Sequence, residues 1–210
     1  AKVDMKANTV IASSFIIRAD DIDTDDVRQQ EYNSVALPVD LFTGDYVDIR
    51  LLLPTGQDYI VVSKKMVTIP KVNEEYLADT IQMKMAEEEI VTMSNAIVEA
   101  FRMDGAKLYA TKYTEAGTQQ ASSPTYVVSD EVAKLIEADP NIVSTAMAAL
   151  SARYNANNEA LKKLRSQNIN GALSNYGKDE NVSQKMDESI TSTKESRQQY
   201  LQSLSGTVVE

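Results

Sequence analysis

Between Thr9 and Ile69 the apolar residues fall in short runs: Thr9-Val10-Ile11, Ser34 to Pro38, Tyr46 to Leu51, Tyr59 to Val62 and Met66 to Ile69. β-Branched and aromatic residues dominate these runs, which predicts strands. Thr43-Gly44-Asp45 and Pro54 to Asp58 separate them; Gly44 and Gly56 are free to take positive φ, and Pro54 is pre-set for a turn. The last pair reads as a hairpin. Asp23 to Gln30 places a capping side chain ahead of first-turn acids, where they complement the helix dipole, and predicts a short helix.

Further along, the period changes. Thr80 to Met85 alternates like a half-buried strand, and Glu87-Glu88-Glu89 then opens a helix from Ala86 to Met103 with carboxylates at its positive end. Ile90, Met93, Ile97 and Phe101 form its apolar stripe, and Gly105 supplies the stop. Lys107 to Tyr113 is the next strand, completing a strand, helix, strand unit. Gly117 to Thr125 is polar, ends in Pro124 and reads as a linker or exposed loop.

The remainder is helical. Ser129-Asp130-Glu131 caps Val132 to Ala138, and Asp139-Pro140 launches a helix from Asn141 to about Arg165, with Ile142, Ala146, Ala149, Leu150 and Tyr154 on its face. Gln167 to Lys178 reads as a break. Asp179 to Leu204 reads as a last, mostly polar helix with a narrow stripe of Val182, Met186, Ile190, Thr193, Tyr200, Leu201 and Leu204. That stripe holds a neighbour weakly, orders on a partner, or docks on the preceding helix as an antiparallel pair. The pattern therefore predicts an α+β protein with three parts: a β-rich unit over 1–72, a strand, helix, strand unit over 73–126, and a helical region over 127–210.

Composition narrows the chemistry. The 210 residues are 43% hydrophobic, enough for a core. Lys and Arg number 21 against 31 Asp and Glu, a net charge of -10 that repels nucleic acid and anionic lipid surfaces. The densest basic stretch, Lys162 to Arg165, has no aromatic neighbours and reads as a solvated helix face. With no Cys and no His, disulfides, thiolate or imidazole catalysis and Cys- or His-based metal sites are excluded. No apolar run approaches the roughly 20 residues of a membrane span. The sequence begins at Ala1 without Met, and an upstream anchor or signal is expected to have been removed, by processing or by design.

Each candidate site then meets a plainer reading. Asp20 to Asp26 alternates carboxylates like the start of a calcium loop, but Asp26 and Tyr32 stand where such a loop needs Gly and Glu, so capping and a solvated loop fit better. The adjacent Glu87, Glu88 and Glu89 point in different directions and serve the helix dipole. Gly171 to Lys178 fails as a phosphate loop in its glycine spacing, and Asp179 replaces the metal-binding hydroxyl. Ser63-Lys64 pairs a nucleophile type with a base type, but strand neighbours face opposite ways. Tyr46, Tyr59, Tyr109 and Tyr113 lie in predicted strands, where they line a sugar- or protein-binding surface or pack across strands. The expectation is no catalytic, cofactor or metal site.

Ala7-Asn8-Thr9-Val10-Ile11, Val35 to Pro38, Thr43-Gly44-Asp45-Tyr46-Val47-Asp48-Ile49 and Tyr59 to Val62 together resemble a SAF domain. In that family a strand carrying G-T-V-I and a strand carrying P-G-D-x-V-D-V build a small β-clip barrel; here Asn8 stands where Gly is usual. Thr80 to Tyr113 is similar to the strand, helix, strand that follows the SAF domain in the Flp/Tad pilus assembly branch. The resemblance covers about half of the chain and carries over no functional residue. It implies an extracytoplasmic bacterial envelope protein, held by an N-terminal membrane helix outside this sequence and acting as a non-catalytic scaffold or chaperone for protein partners. The alternative is a carbohydrate or cell-wall-binding module, which requires exposed Tyr side chains clustered in a groove.

Overall fold

A computed structural model describes residues 25–72, 74–142, 159–175, 188, 191 and 194–203. The strand expected at Thr9 to Ile11, residues 20–24 of the acidic run, residues 143–158 of the helix expected from Asn141 to about Arg165, residues 176–180, and Val182, Met186, Ile190, Thr193 and Leu204 lie outside them. The architecture is α+β. Its strands are β1 (Arg28–Tyr32), β2 (Val35–Ala36), β3 (Tyr46–Leu52), β4 (Asp58–Thr68), β5 (Lys71–Val72), β6 (Glu75–Tyr76), β7 (Ile81–Met85) and β8 (Lys107–Lys112). The helices are α1 (Glu87–Arg102), α2 (Asp130–Ala138) and α3 (Glu159–Asn175), followed by a helical segment at 194–203.

Six strands form one sheet in the order β1-β7-β4-β3-β8-β2, antiparallel except where β2 meets β8. Among the described residues no ladder joins β1 to β2, and no closed barrel is formed. At its centre β3 and β4 make a hairpin around Pro54 to Gln57: Leu53 N–H donates to Gln57 at 2.8 Å and Gly56 sits at φ 89°. Val47, Ile49 and Leu51 alternate inward at 0% exposure and meet β8 through Ile49↔Ala110 and Leu51↔Leu108. The core cluster extends from these strands to Ile136, Ile142, Ile169 and Ala172.

Tyr59 to Val62 and Met66 to Ile69, two runs in sequence, belong to a single strand and its end. Lys64 takes φ 48° beside a register shift in the β3 to β4 ladder, a bulge that lets β4 leave β3 and join β7 through Val67↔Met83. The buried Asp48 carboxylate holds this bulge. It accepts from Ser63 Oγ at 3.0 Å, Lys64 N–H at 2.8 Å and Tyr113 Oη at 2.7 Å.

Three expectations are corrected. The helix read over Asp23 to Gln30 is, in its described part, a turn leading into β1, which pairs with β7 from Arg28↔Met85 to Tyr32↔Ile81. A cross-strand chain, Gln29 to Gln82 to Glu31, and burial of Tyr32 outweigh the local capping signal. Phe101 does not belong to the inner stripe of α1. Thr92, Met93, Ala96 and Glu99 are buried there, while Phe101 is 65% exposed. The break read from Gln167 is helix as far as Asn175: α3 runs through Gly171, whose helix cost of about 1 kcal/mol is offset by burying Ile169 and Ala172.

The ends of α1 and α2 follow the sequence. Ala86 has no polar side chain, so α1 keeps the return half of a capping box, Ala86 N–H donating to Glu89 Oε2 at 2.9 Å. Gly105 at φ 82° turns the chain into β8. Ser129 Oγ caps α2 by accepting from Val132 N–H. The polar stretch from Gly117 is exposed at first and is then pinned along β4, where Ile60 O accepts from Thr125 and Tyr126 N–H. Among the described residues no helix is long and apolar enough to cross a membrane.

Candidate functional site

The 194–203 helix docks on the sheet unit. Arg197, 1% exposed, donates from Nη1 to the carbonyls of Pro38 (2.7 Å) and Val39 (3.2 Å) and from Nη2 to that of Leu41 (3.1 Å). Burial pushes its pKa down, and the charge of Asp40 opposes that shift. A guanidinium suits this position because its fork of donors reaches several carbonyls of one turn at once. One turn away Lys194 pairs with Asp79 at 2.5 Å. Burial raises the Asp79 carboxyl, but the bonds from Lys194 and Thr80 and the Lys194 charge outweigh it and leave the group below its ordinary value. Tyr200 packs on Phe42 with ring centroids 6.2 Å apart, and Leu201 is buried. The apolar side of this segment is thus turned to the chain's own body.

Opposite the helix stands the β5–β6 hairpin. Leu77 N–H donates to Pro70 O at its base, and Glu74 takes φ 70° in its tip. Such a backbone in a non-glycine residue is strained and is sustained by the pairing on either side. Lys71 and Tyr76 face each other across the ladder, and Lys71 Nζ lies 4.2 Å from the Tyr76 ring centroid.

Between helix and hairpin lies a cavity of about 690 Å³. Ile69 and Leu201 are its apolar lining, Phe42 and Tyr76 its rings, Thr43, Gln198 and Gln202 its neutral polar groups, and Lys71, Glu74 and Glu75 its charges. Both rings are 40% exposed. Phe42 is held by the turn that follows it: its N–H donates to Asp45 Oδ2 at 2.8 Å, and Gly44 at φ 97° donates to Val67 O. Lys112 bonds Asp45 at 2.9 Å and reaches over the Phe42 ring at 5.7 Å. That hydrogen bond and the charges of Asp45 and Asp40 raise the Lys112 pKa against the opposing effect of burial. A pocket with an apolar floor, two accessible rings and both donors and acceptors is suited to binding.

The candidates named from sequence lie elsewhere. Ser63 Oγ bonds Asp48 and faces the Tyr113 hydroxyl, whereas Lys64 Nζ donates to Gln119 O and lies 5.9 Å from the Tyr113 ring centroid, so each group is committed to other partners. Glu89 bonds Lys65 at 2.5 Å and caps α1. Asp25 is exposed; Asp26 is 2% exposed, and neither of its oxygens has a hydrogen-bond partner among the described residues. Among the described residues no cluster of three or more acidic side chains is placed to hold a metal ion. Lys163 and Leu164 are exposed on α3.

Tyr46, Tyr59, Tyr109 and Tyr113 are half-buried. Tyr109 Oη donates to Asp58 at 2.6 Å beside Arg50, Tyr59 Oη accepts from Asn168, and Tyr113 joins the Asp48 network. The hydroxyls of Tyr59, Tyr109 and Tyr113 are thus hydrogen-bonded within the chain, and none of the four tyrosines lines the cavity. Phe42, Tyr76 and Arg197 are the residues that sequence reasoning missed. Phe42 and Tyr76 flank turns outside any periodic run, and Arg197 has the look of an ordinary polar helix residue. No match to the chain is found among protein-family models, curated proteins or solved structures.

Proposed function

We propose that this chain is a non-catalytic binding module of a bacterial envelope assembly, working outside the cytoplasm and engaging a protein partner through the cleft between the β5–β6 hairpin and the 194–203 helix. The observation that carries this reading is the cleft's construction: two rings at 40% exposure and a mixed polar rim, set against a helix clamped by a buried arginine. A clamped wall lowers the ordering cost of association. The SAF-like sequence of β3 and β4 supports the same class, and in that reading the sheet is a β-clip related to the Flp/Tad pilus assembly branch. The membrane anchor implied by that branch belongs to the same proposal.

A second reading, a cell-wall glycan ligand, is favoured by one observation: the rings of Phe42 and Tyr76 lie beside the amides of Gln198 and Gln202, groups that match the apolar face and hydroxyl edge of a sugar. Binding of the purified chain to detergent-solubilised envelope proteins and to purified cell-wall sacculi separates the two. The first reading predicts retention of a defined envelope protein that is lost in Phe42→Leu/Tyr76→Leu. Binding to sacculi alone, lost in the same variant, establishes the second and overturns the first.

A further inference from the structure

Both rings of the cleft already carry a cation from the chain itself. Lys112 over Phe42 is tied down by Asp45 at 2.9 Å and Asp40 at 3.6 Å. Lys71 differs: it is exposed, and among the described residues no carboxylate pairs with its ammonium, which rests on the Tyr76 face at 4.2 Å. An exposed cation–π contact is weak and readily exchanged. The hairpin that presents this ring also brings Glu74 and Glu75 to the rim, two carboxylates against the single Lys71, in a chain of net charge -10. The field at the mouth of the cleft therefore favours an incoming cation.

Building on the reading of the cleft as a protein-partner site, we propose that its specificity element is the Tyr76 ring, which receives a Lys or Arg side chain of the partner, and that Lys71 is an internal stand-in displaced on binding. The partner segment is cationic, its charge held by the ring and by the Glu74 and Glu75 carboxylates while its stem lies along Leu201 and Ile69. Lys71, once displaced, returns to water.

The test is a titration of the full chain with tetralysine, followed by calorimetry and amide chemical shifts at about 0.15 M salt to suppress diffuse attraction. Chitotetraose and tetraglutamate serve as comparison ligands. The variants are Tyr76→Leu, Lys71→Gln, and Lys163→Gln as the same charge change on α3. Tetralysine is expected to shift the hairpin amides, bind about threefold to tenfold more weakly to Tyr76→Leu, and bind more tightly to Lys71→Gln than to Lys163→Gln by a similar factor. Equal affinity for wild type and Tyr76→Leu, or equal gains from the two Lys variants, reduces the effect to bulk charge and overturns the proposal. Cleft shifts with chitotetraose but not tetralysine overturn it while leaving the cleft a binding site. Silence of the cleft amides with every ligand removes the cleft reading as well.

Discussion

At Asp48 a carboxylate that is 5% exposed receives hydrogen bonds from a hydroxyl, a backbone N–H and a phenol. All three donors sit around the β4 bulge, so the charge is compensated where the chain departs from regular pairing. Asp48→Ala removes the acceptor these donors share, leaving the Ser63 and Tyr113 hydroxyls, among the described residues, only each other and Ser122, and is expected to lower stability by roughly 2–3 kcal/mol in a denaturant titration, against about 1 kcal/mol for Tyr113→Phe. Tyr32 is the opposite case: its hydroxyl is buried without a hydrogen-bond partner among the described residues, and burial, with the nearby Glu89 charge, pushes its pKa up to about 12. The folded state keeps this proton after the unfolded chain has begun to lose it near its ordinary value of about 10. Its contribution to stability is therefore present below about pH 10 and lost as pH rises toward 12. Tyr32→Phe should leave neutral-pH stability within about 1 kcal/mol and flatten that alkaline loss. Neither role was legible in sequence, since an Asp and a Tyr in strands carry no local mark of their partners.

Among the elements, those whose pattern is repeated and strong were legible: β3, β7, β8, α1 and α2 fall where periodicity and caps place them. The failures have one physical source, tertiary contacts overriding local preference. β1 is a strand because β7 offers it a pairing edge, and α3 passes Gly171 because the core accepts Ile169 and Ala172. On α1 the true inner face is rotated from the stripe read in sequence, which yields a sharp contrast. Met93→Ala, at a position 0% exposed, is expected to cost about 2–5 kcal/mol. Phe101→Ala, at 65% exposure, should stay within about 0.5 kcal/mol. Thermal or urea unfolding of the two variants checks both.

The docked 194–203 helix gives a further element-scale prediction. Arg197→Ala abandons three backbone carbonyls and is expected to weaken docking by about 3 kcal/mol. Hydrogen exchange should then accelerate over 194–203 while the protection of β3 and β4 is kept. Acid acts at the neighbouring clasp. Because the folded Asp79 pKa lies below the ordinary aspartate value of about 3.9, the stabilisation is present above that value and is lost as pH falls through the lower folded one.

For the whole molecule, sequence carried the fold class further than the site. The α+β order, the central hairpin and the strand, helix, strand unit were readable because each lies within a short stretch of chain. The cleft was not readable, because it joins a turn at Phe42, a hairpin at Tyr76 and a helix at Gln198 to Gln202 that meet only through tertiary docking. Arg197, the residue that fixes one wall, donates to carbonyls rather than to a charged partner, so no complementary residue type marks its place in sequence. The absence of Cys and His removed thiolate and imidazole chemistry from consideration, and the two rings at 40% exposure are the feature on which the proposed binding role rests.

The central claim is that the cleft is where the chain meets its protein partner. It is tested most directly by placing a photo-cross-linking residue at 42, at 76 and, as a control, at 101 on the exposed face of α1, in the cells that make the protein. The account predicts one envelope protein captured from both 42 and 76 and not from 101. Capture from 101 alone, with 42 and 76 silent, would move the partner to the outer face of α1 and contradict it.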